Sequence, residues 1–197
     1  MARMPRSELP DGHFHLTAIG AGEAHIFLVD LDRIEFLHAL DIVCSRFAWR
    51  LLAYCLMGTH YHFVLHVPED GLSVGMCELN GGFARWSNFR HGCEDHVFGR
   101  RFASVEILRD EHLREACRYV VLNPVRAGLV DHPGDWPWSS YRATVGDEHP
   151  PACLALGAVL AMFGDRPRAA VEAYREYVEA GRVLCAPGPV PGTVPRV

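Results

Sequence analysis

The sequence contains no lysine: all 19 positive charges are arginines. That bias reflects genome composition more than chemistry. Against 24 acidic residues it leaves a net charge of −5. A broad, non-specific duplex-DNA binder carries a basic face, so the balance counts against that class. It leaves room for a narrow groove lined by arginines. Long apolar runs are missing too: no segment reaches the roughly 18 uninterrupted apolar residues of a membrane span. The stretch Met1 to Asp11 is short and polar, with two prolines, and lacks the apolar core of a secretory signal. A soluble, cytoplasmic protein with no membrane partner is expected. No Cys-x-x-Cys pair occurs among the seven cysteines (44, 55, 77, 93, 117, 153 and 185). The odd count, and apolar surroundings such as those of Cys55, favour buried free thiols over disulfides or a zinc site.

What is present suits one domain with an appendage: 197 residues, 49% of them hydrophobic. Residues 13–19 alternate and predict a first strand. Residues 20–25 predict a turn, and 26–29 are a short apolar run. Asp30 is placed to cap a helix reaching about Phe47, with Ile34, Leu37, Leu40, Val43 and Cys44 on its buried face. Trp49 to Met57 and His60 to Val67 predict a hairpin punctuated by Gly58-Thr59. A second helix is expected over 71–91, a loop over 92–104, and a third helix from Glu111 to about Leu122, capped by Asp110 and stopped by Asn123-Pro124. Two more helices are expected at 151–163 and 167–181, and a disordered Pro/Gly-rich tail after Arg182. Helices segregated from antiparallel strands predict an α+β fold. A small sheet with helices on one face is the simplest arrangement.

Side chains alternate along a strand, so His60 and His62 share a face and Tyr61 takes the other. Two adjacent imidazoles on rigid backbone form a metal-binding edge. Spacing alone is a weak signal, since His13-Phe14-His15 has the same spacing and two ordinary strand histidines would look alike. His66 is a third histidine on that face, read as a plain surface or core residue. Tyr119 and Asn123 stand four apart on the third helix, one turn from each other. A bound divalent metal could polarise a phosphate under attack by the tyrosine, with the Asn123 amide oxygen completing a site of two imidazoles and one oxygen. On spacing alone, a packed tyrosine and an asparagine that merely caps the helix before Pro124 are the favoured reading.

Longer motifs bear on that choice. Tyr119-Val-Val-Leu-Asn-Pro-Val-Arg-Ala-Gly-Leu-Val130, with Trp136-Pro-Trp-Ser-Ser-Tyr-Arg-Ala143 downstream and Leu56-Met-Gly-Thr-His-Tyr-His-Phe-Val-Leu65 upstream, closely resembles the single-tyrosine HUH transposases. The branch it is similar to is the REP-associated tyrosine transposases, over about residues 12–145. The resemblance implies a ferredoxin-like HUH domain at 12–145, with a small antiparallel sheet and helices on its faces. A helical extension at 146–182 and a tail at 183–197 would follow. It implies Tyr119 as nucleophile, and His60, His62 and Asn123 as ligands of Mg²⁺ or Mn²⁺. It implies an enzyme that cleaves and rejoins single-stranded DNA near palindromic hairpins through a covalent 5′-phosphotyrosine. Its expected state is a monomer, with a dimer as the alternative. Many relatives have Arg-Gly after the first strand where this chain has Ile19-Gly20, and many are basic. The competing reading is a domesticated, non-catalytic DNA-binding protein that retains the fold; a water-using metal hydrolase is a third. Arg85, Arg100, Arg101 and Arg126 are candidates for DNA contact, with solvated faces or ion pairs as the alternative. Trp136 and Trp138 could stack on unpaired bases or pack the C-terminal lobe.

Overall fold

The computed structural model describes residues 11–68 and 71–183. The N-terminal stretch up to residue 10, the tail from 184 and Cys185 lie outside the described residues. Four strands form one antiparallel sheet: β1 (Gly12–Ile19), β2 (Arg50–Leu56), β3 (His60–Val67) and β4 (Ala103–Ile107), in the order β2-β3-β1-β4. Helix α1 (Asp30–Arg46) joins β1 to β2, and α2 (Leu72–His91) joins β3 to β4. This βαββαβ order with β1 and β3 central is the ferredoxin-like arrangement, and the α+β class expected from the sequence is the class observed.

Alternation divides the sheet into two faces. Phe14, Leu16 and Ala18 of β1, with Tyr61, Phe63, Leu65 and Val67 of β3, join α1 and α2 in one core. Phe36 sits at its centre, packed on Phe27, Tyr61, Phe63 and Phe83. The other face carries His13, His15 and Thr17 from β1 and His60, His62, Val64 and His66 from β3. Helix α3 (Asp110–Val121) lies over the β2–β3 side of this face. Leu113, Cys117, Val120 and Val121 pack there on Ala53, Cys55 and Val64. Strand β2 alternates between the two cores, and a bulge between Leu51 and Ala53 leaves the consecutive Leu52 and Ala53 both in the α3-side core. Helices therefore cover both faces, not one.

Beyond α3 the chain forms α4 (Asn123–Arg126), α5 (Tyr141–Val145), α6 (Leu156–Ala161) and α7 (Pro167–Val183). Buried Tyr174 and Val178 of α7 pack back on the α3 core. No helix among the described residues is long and apolar enough to cross a membrane. Of the cysteines described, Cys44, Cys55 and Cys117 are buried free thiols, Cys153 is half-buried, and Cys77 and Cys93 are exposed.

Several local expectations are corrected. Ile34 is exposed and Phe36 takes the buried position on α1. The cap of α1 is Asp32, not Asp30: its carboxylate accepts from the amides of Leu28 (2.7 Å) and Val29 (3.0 Å) and from His91 Nε2 (2.9 Å). Burial opposes its ionisation, but these bonds outweigh it and hold the carboxyl below its usual range. Asp110 lies inside α3 and makes no cap bond. Asn123-Pro124 does not stop the helical path. Proline is tolerated in a first helical turn, and α4 starts there, ending where Gly128 takes φ +67°. The stretch read as a loop to 104 gives way to β4 at Ala103. The first helix after 150 starts at Leu156 and ends at Ala161, shorter than expected.

Candidate active site

The site lies where β1, β3 and α3 meet. Register places Thr17 opposite His62 and Ile19 opposite His60. The rings of His60 and His62 stand 5.0 Å apart, nearly perpendicular. His62 is 7% exposed. Its Nδ1 is engaged twice, by Thr17 Oγ1 at 3.0 Å and His15 Nε2 at 3.1 Å. His60 Nδ1 is engaged by Thr59 Oγ1 at 3.1 Å. In both rings the neighbours hold Nδ1, and Nε2 is the atom left for another partner.

Burial lowers the pKa of His60 and of His15. His62 is lowered to about 3, first by burial and then by the nearby His60 and His15. At neutral pH all three are uncharged imidazoles, the form that donates a lone pair.

Tyr119 projects from α3 and is 36% exposed. Its ring centroid lies 5.9 Å from that of His62 and 5.7 Å from that of His15, both edge-on. The Arg126 guanidinium carbon sits 5.0 Å from the tyrosine centroid, because the turn into α4 folds Arg126 back over the ring. Asn123 is 9% exposed and donates from Nδ2 to the Tyr119 carbonyl at 3.0 Å. That bond fixes the amide and leaves Oδ1 as its acceptor. No group of three or more His, Cys, Asp or Glu side chains is gathered for a metal among the described residues. The donor set on offer is two neutral imidazoles and one amide oxygen, a mixed nitrogen–oxygen set suited to a divalent first-row ion.

The four residues Tyr119, His60, His62 and Asn123 thus come from β3 and from the α3–α4 junction packed on that side of the sheet. Arg126 joins them through Tyr119. Arg100 and Arg101 follow Gly99, whose amide donates to the Ile19 carbonyl at 3.1 Å, so they stand at the sheet end that carries His60. Arg85 lies on α2, which packs on the opposite face. Trp138 is half-buried against the α1-side core with Arg33 over its ring at 5.4 Å, and Trp136 donates from Nε1 to the Leu56 carbonyl at 3.3 Å. Both tryptophans serve packing along β2. His66 pairs with Asp11 at 2.8 Å.

Sequence reasoning passed over His15 and Thr17. His13-Phe14-His15 looked like a coincidental repeat of the histidine spacing. The available signal was the strand order: once β1 lies beside β3, its outward residues 13, 15 and 17 must flank the pair.

Comparison with known proteins gives a sequence and a fold likeness. A Haemophilus influenzae protein assigned to the REP-associated tyrosine transposases is 26% identical over 159 residues, spanning 75% of this chain and 90% of the relative. The chain is similar to the REP-associated tyrosine transposases over most of its length. An Escherichia coli member of the family is 26% identical over 111 residues, 55% of this chain and 64% of that protein. The solved structure of a REP-associated tyrosine transposase bound to a REP hairpin superposes with a TM-score of 0.61 at 22% identity, covering 79% of this chain and 92% of that one. At that identity the likeness speaks to the fold, and the fold is shared. No family model matches the chain.

Proposed function

We propose that this chain is a metal-dependent strand transferase that cuts and rejoins single-stranded DNA near palindromic hairpins through Tyr119. The observation that carries this reading is the placement of Tyr119: a half-exposed phenol against the edges of His62 and His15, under an arginine, beside two imidazoles whose Nε2 atoms are left open. The solved relative bound to a REP hairpin supports a DNA hairpin as the partner.

In the step proposed, the Tyr119 oxygen attacks a backbone phosphorus and gives up its proton to solvent. The P–O3′ bond breaks, the 3′ oxygen takes a proton, and the 5′ phosphate stays on the tyrosine. A 3′-hydroxyl reverses the step and reseals a strand, so no nucleoside triphosphate is consumed. Arg126 supplies a permanent positive charge beside the developing phosphotyrosine. His60, His62 and Asn123 are the residues that would hold Mg²⁺ or Mn²⁺. Such an ion, when bound, polarises the phosphate and stabilises charge on its oxygens.

The test is a denaturing-gel shift with labelled single-stranded hairpin DNA and Mn²⁺. Wild type is expected to form a covalent adduct that Tyr119→Phe does not. An adduct from Tyr119→Phe, or none from wild type, refutes the mechanism. Hairpin binding that survives both chelation and Tyr119→Phe, with no cleavage by wild type, would favour the domesticated binding protein instead. Released products with free ends and indifference to Tyr119→Phe would favour a water-using hydrolase.

A further inference from the structure

We propose that His15 and Thr17 of β1 are positioning residues that aim the Nε2 atom of His62 at the metal, a role that rests on the reading above. The argument begins with register. Antiparallel pairing sets Thr17 directly across from His62, with His15 two residues away on the same face. Both side chains reach the same atom, His62 Nδ1, at 3.0 and 3.1 Å. The His15 ring also stacks on the His62 ring, with centroids 5.3 Å apart and planes inclined by 27°.

An unsupported imidazole has a broad, roughly two-fold χ2 preference, so either nitrogen could face outward. Two contacts on Nδ1 remove that freedom. They also accommodate the tautomer that a metal ligand needs. An Nε2 lone pair free for a metal requires the ring proton on Nδ1, and Thr17 Oγ1 and His15 Nε2 are both able to accept it. Histidine ligands generally depend on such partners for ring orientation. The partners here lie on a central strand, 45 and 47 residues earlier in the chain, so they are as rigidly placed as the ligand itself. The same imidazole backs the Tyr119 ring. His15 therefore holds the metal ligand and the nucleophile in one fixed relation.

The test measures Mn²⁺ binding by the full chain without DNA, from the loss of the free-ion paramagnetic resonance signal, in wild type, His15→Leu, His15→Gln and Thr17→Val. Melting temperatures are recorded in parallel. His15→Leu is expected to bind Mn²⁺ about 10- to 100-fold more weakly. His15→Gln, whose amide oxygen can accept from Nδ1, is expected to recover most of that loss. Thr17→Val, nearly isosteric, should fall between. Hairpin binding in the presence of a chelator should be unchanged in all of them. If His15→Leu disturbs folding, the Gln and Val variants decide the matter through their order of affinity. Wild-type binding with equal affinity in His15→Leu, or equal weakness of the Gln and Leu variants at matched melting temperatures, overturns the positioning role alone. Failure of wild type to bind Mn²⁺ overturns this role and the metal-dependent reading together.

Discussion

The buried histidines make stability sensitive to mild acid. His62 is lowered to about 3 by burial, with His60 and His15 adding to the effect, whereas the unfolded chain leaves a histidine near 6.5. The unfolded state therefore binds the extra proton first. The stabilising contribution is complete above about pH 6.5, declines below it, and is gone at about pH 3. For His62 alone, linkage gives a loss of about 3 kcal/mol between pH 7.5 and 4.5, with a slope approaching about 1.4 kcal/mol per pH unit. His15 and His60, both lowered by burial, act in the same direction. The total stability of such a domain is only about 5–15 kcal/mol, so the effect is large. Urea unfolding followed by tryptophan fluorescence, with a chelator present, reads it directly at pH 7.5, 6.5, 5.5 and 4.5. His62→Gln should flatten the dependence by about the amount assigned to His62. A variant with the same slope as wild type would show that the burial of this imidazole does not carry the linkage, and would refute the reasoning. Asp32 and Glu115, both held low by their hydrogen bonds despite burial, begin to add a loss of their own only at the lowest of these pH values, where the unfolded carboxyls start to take up protons.

Other expectations follow from single contacts. Asp32→Ala strands two loop amides and His91, and should cost about 3 kcal/mol in chemical unfolding; Asp32→Asn, which keeps an acceptor, should cost less. Gly20→Ala places a methyl group onto the carbonyl oxygen of Ala24, a backbone atom that cannot swing aside. A loss of about 2–3 kcal/mol is expected, and an unchanged melting temperature would contradict it. Tyr119→Phe, in contrast, should leave stability within about 0.5 kcal/mol of wild type while abolishing the adduct, because its ring is substantially exposed.

The legible part of the fold was the part with strong periodicity. β1, the β2–β3 hairpin and helices α1 to α3 stand within a residue or two of where alternation and helical spacing put them. β4 was illegible for a physical reason. It is a five-residue edge strand, mostly exposed, whose Glu106 and Val105 show no buried alternation. Ile34 was misassigned because helical spacing fits more than one stripe on α1, and only the packing around Phe36 chooses among them. Asn123-Pro124 reads as a stop in sequence, yet a proline in a first helical turn continues the path. For the candidate site, the surrounding motifs singled out the histidine pair, Tyr119 and Asn123, and the fold packs α3 on the sheet face that carries the pair. His15 and Thr17 were not singled out, because their relation to His62 exists only in strand register, which no local pattern encodes.

The central placement of β1 and β3 also bears on how the site comes into being during folding. The β2–β3 hairpin that carries His60 and His62 is a local structure, closed by the short turn at Gly58-Thr59. Its orienting partners must travel across more than 40 residues of chain to reach it. Loop closure of that length belongs to the slower events of folding. An early hairpin would hold both imidazoles without a fixed aim, and a strong metal site would form only when the β1–β3 ladder closes. A metal ion should then do little to the folding rate and should mainly slow unfolding, making it a kinetic lock on the finished sheet.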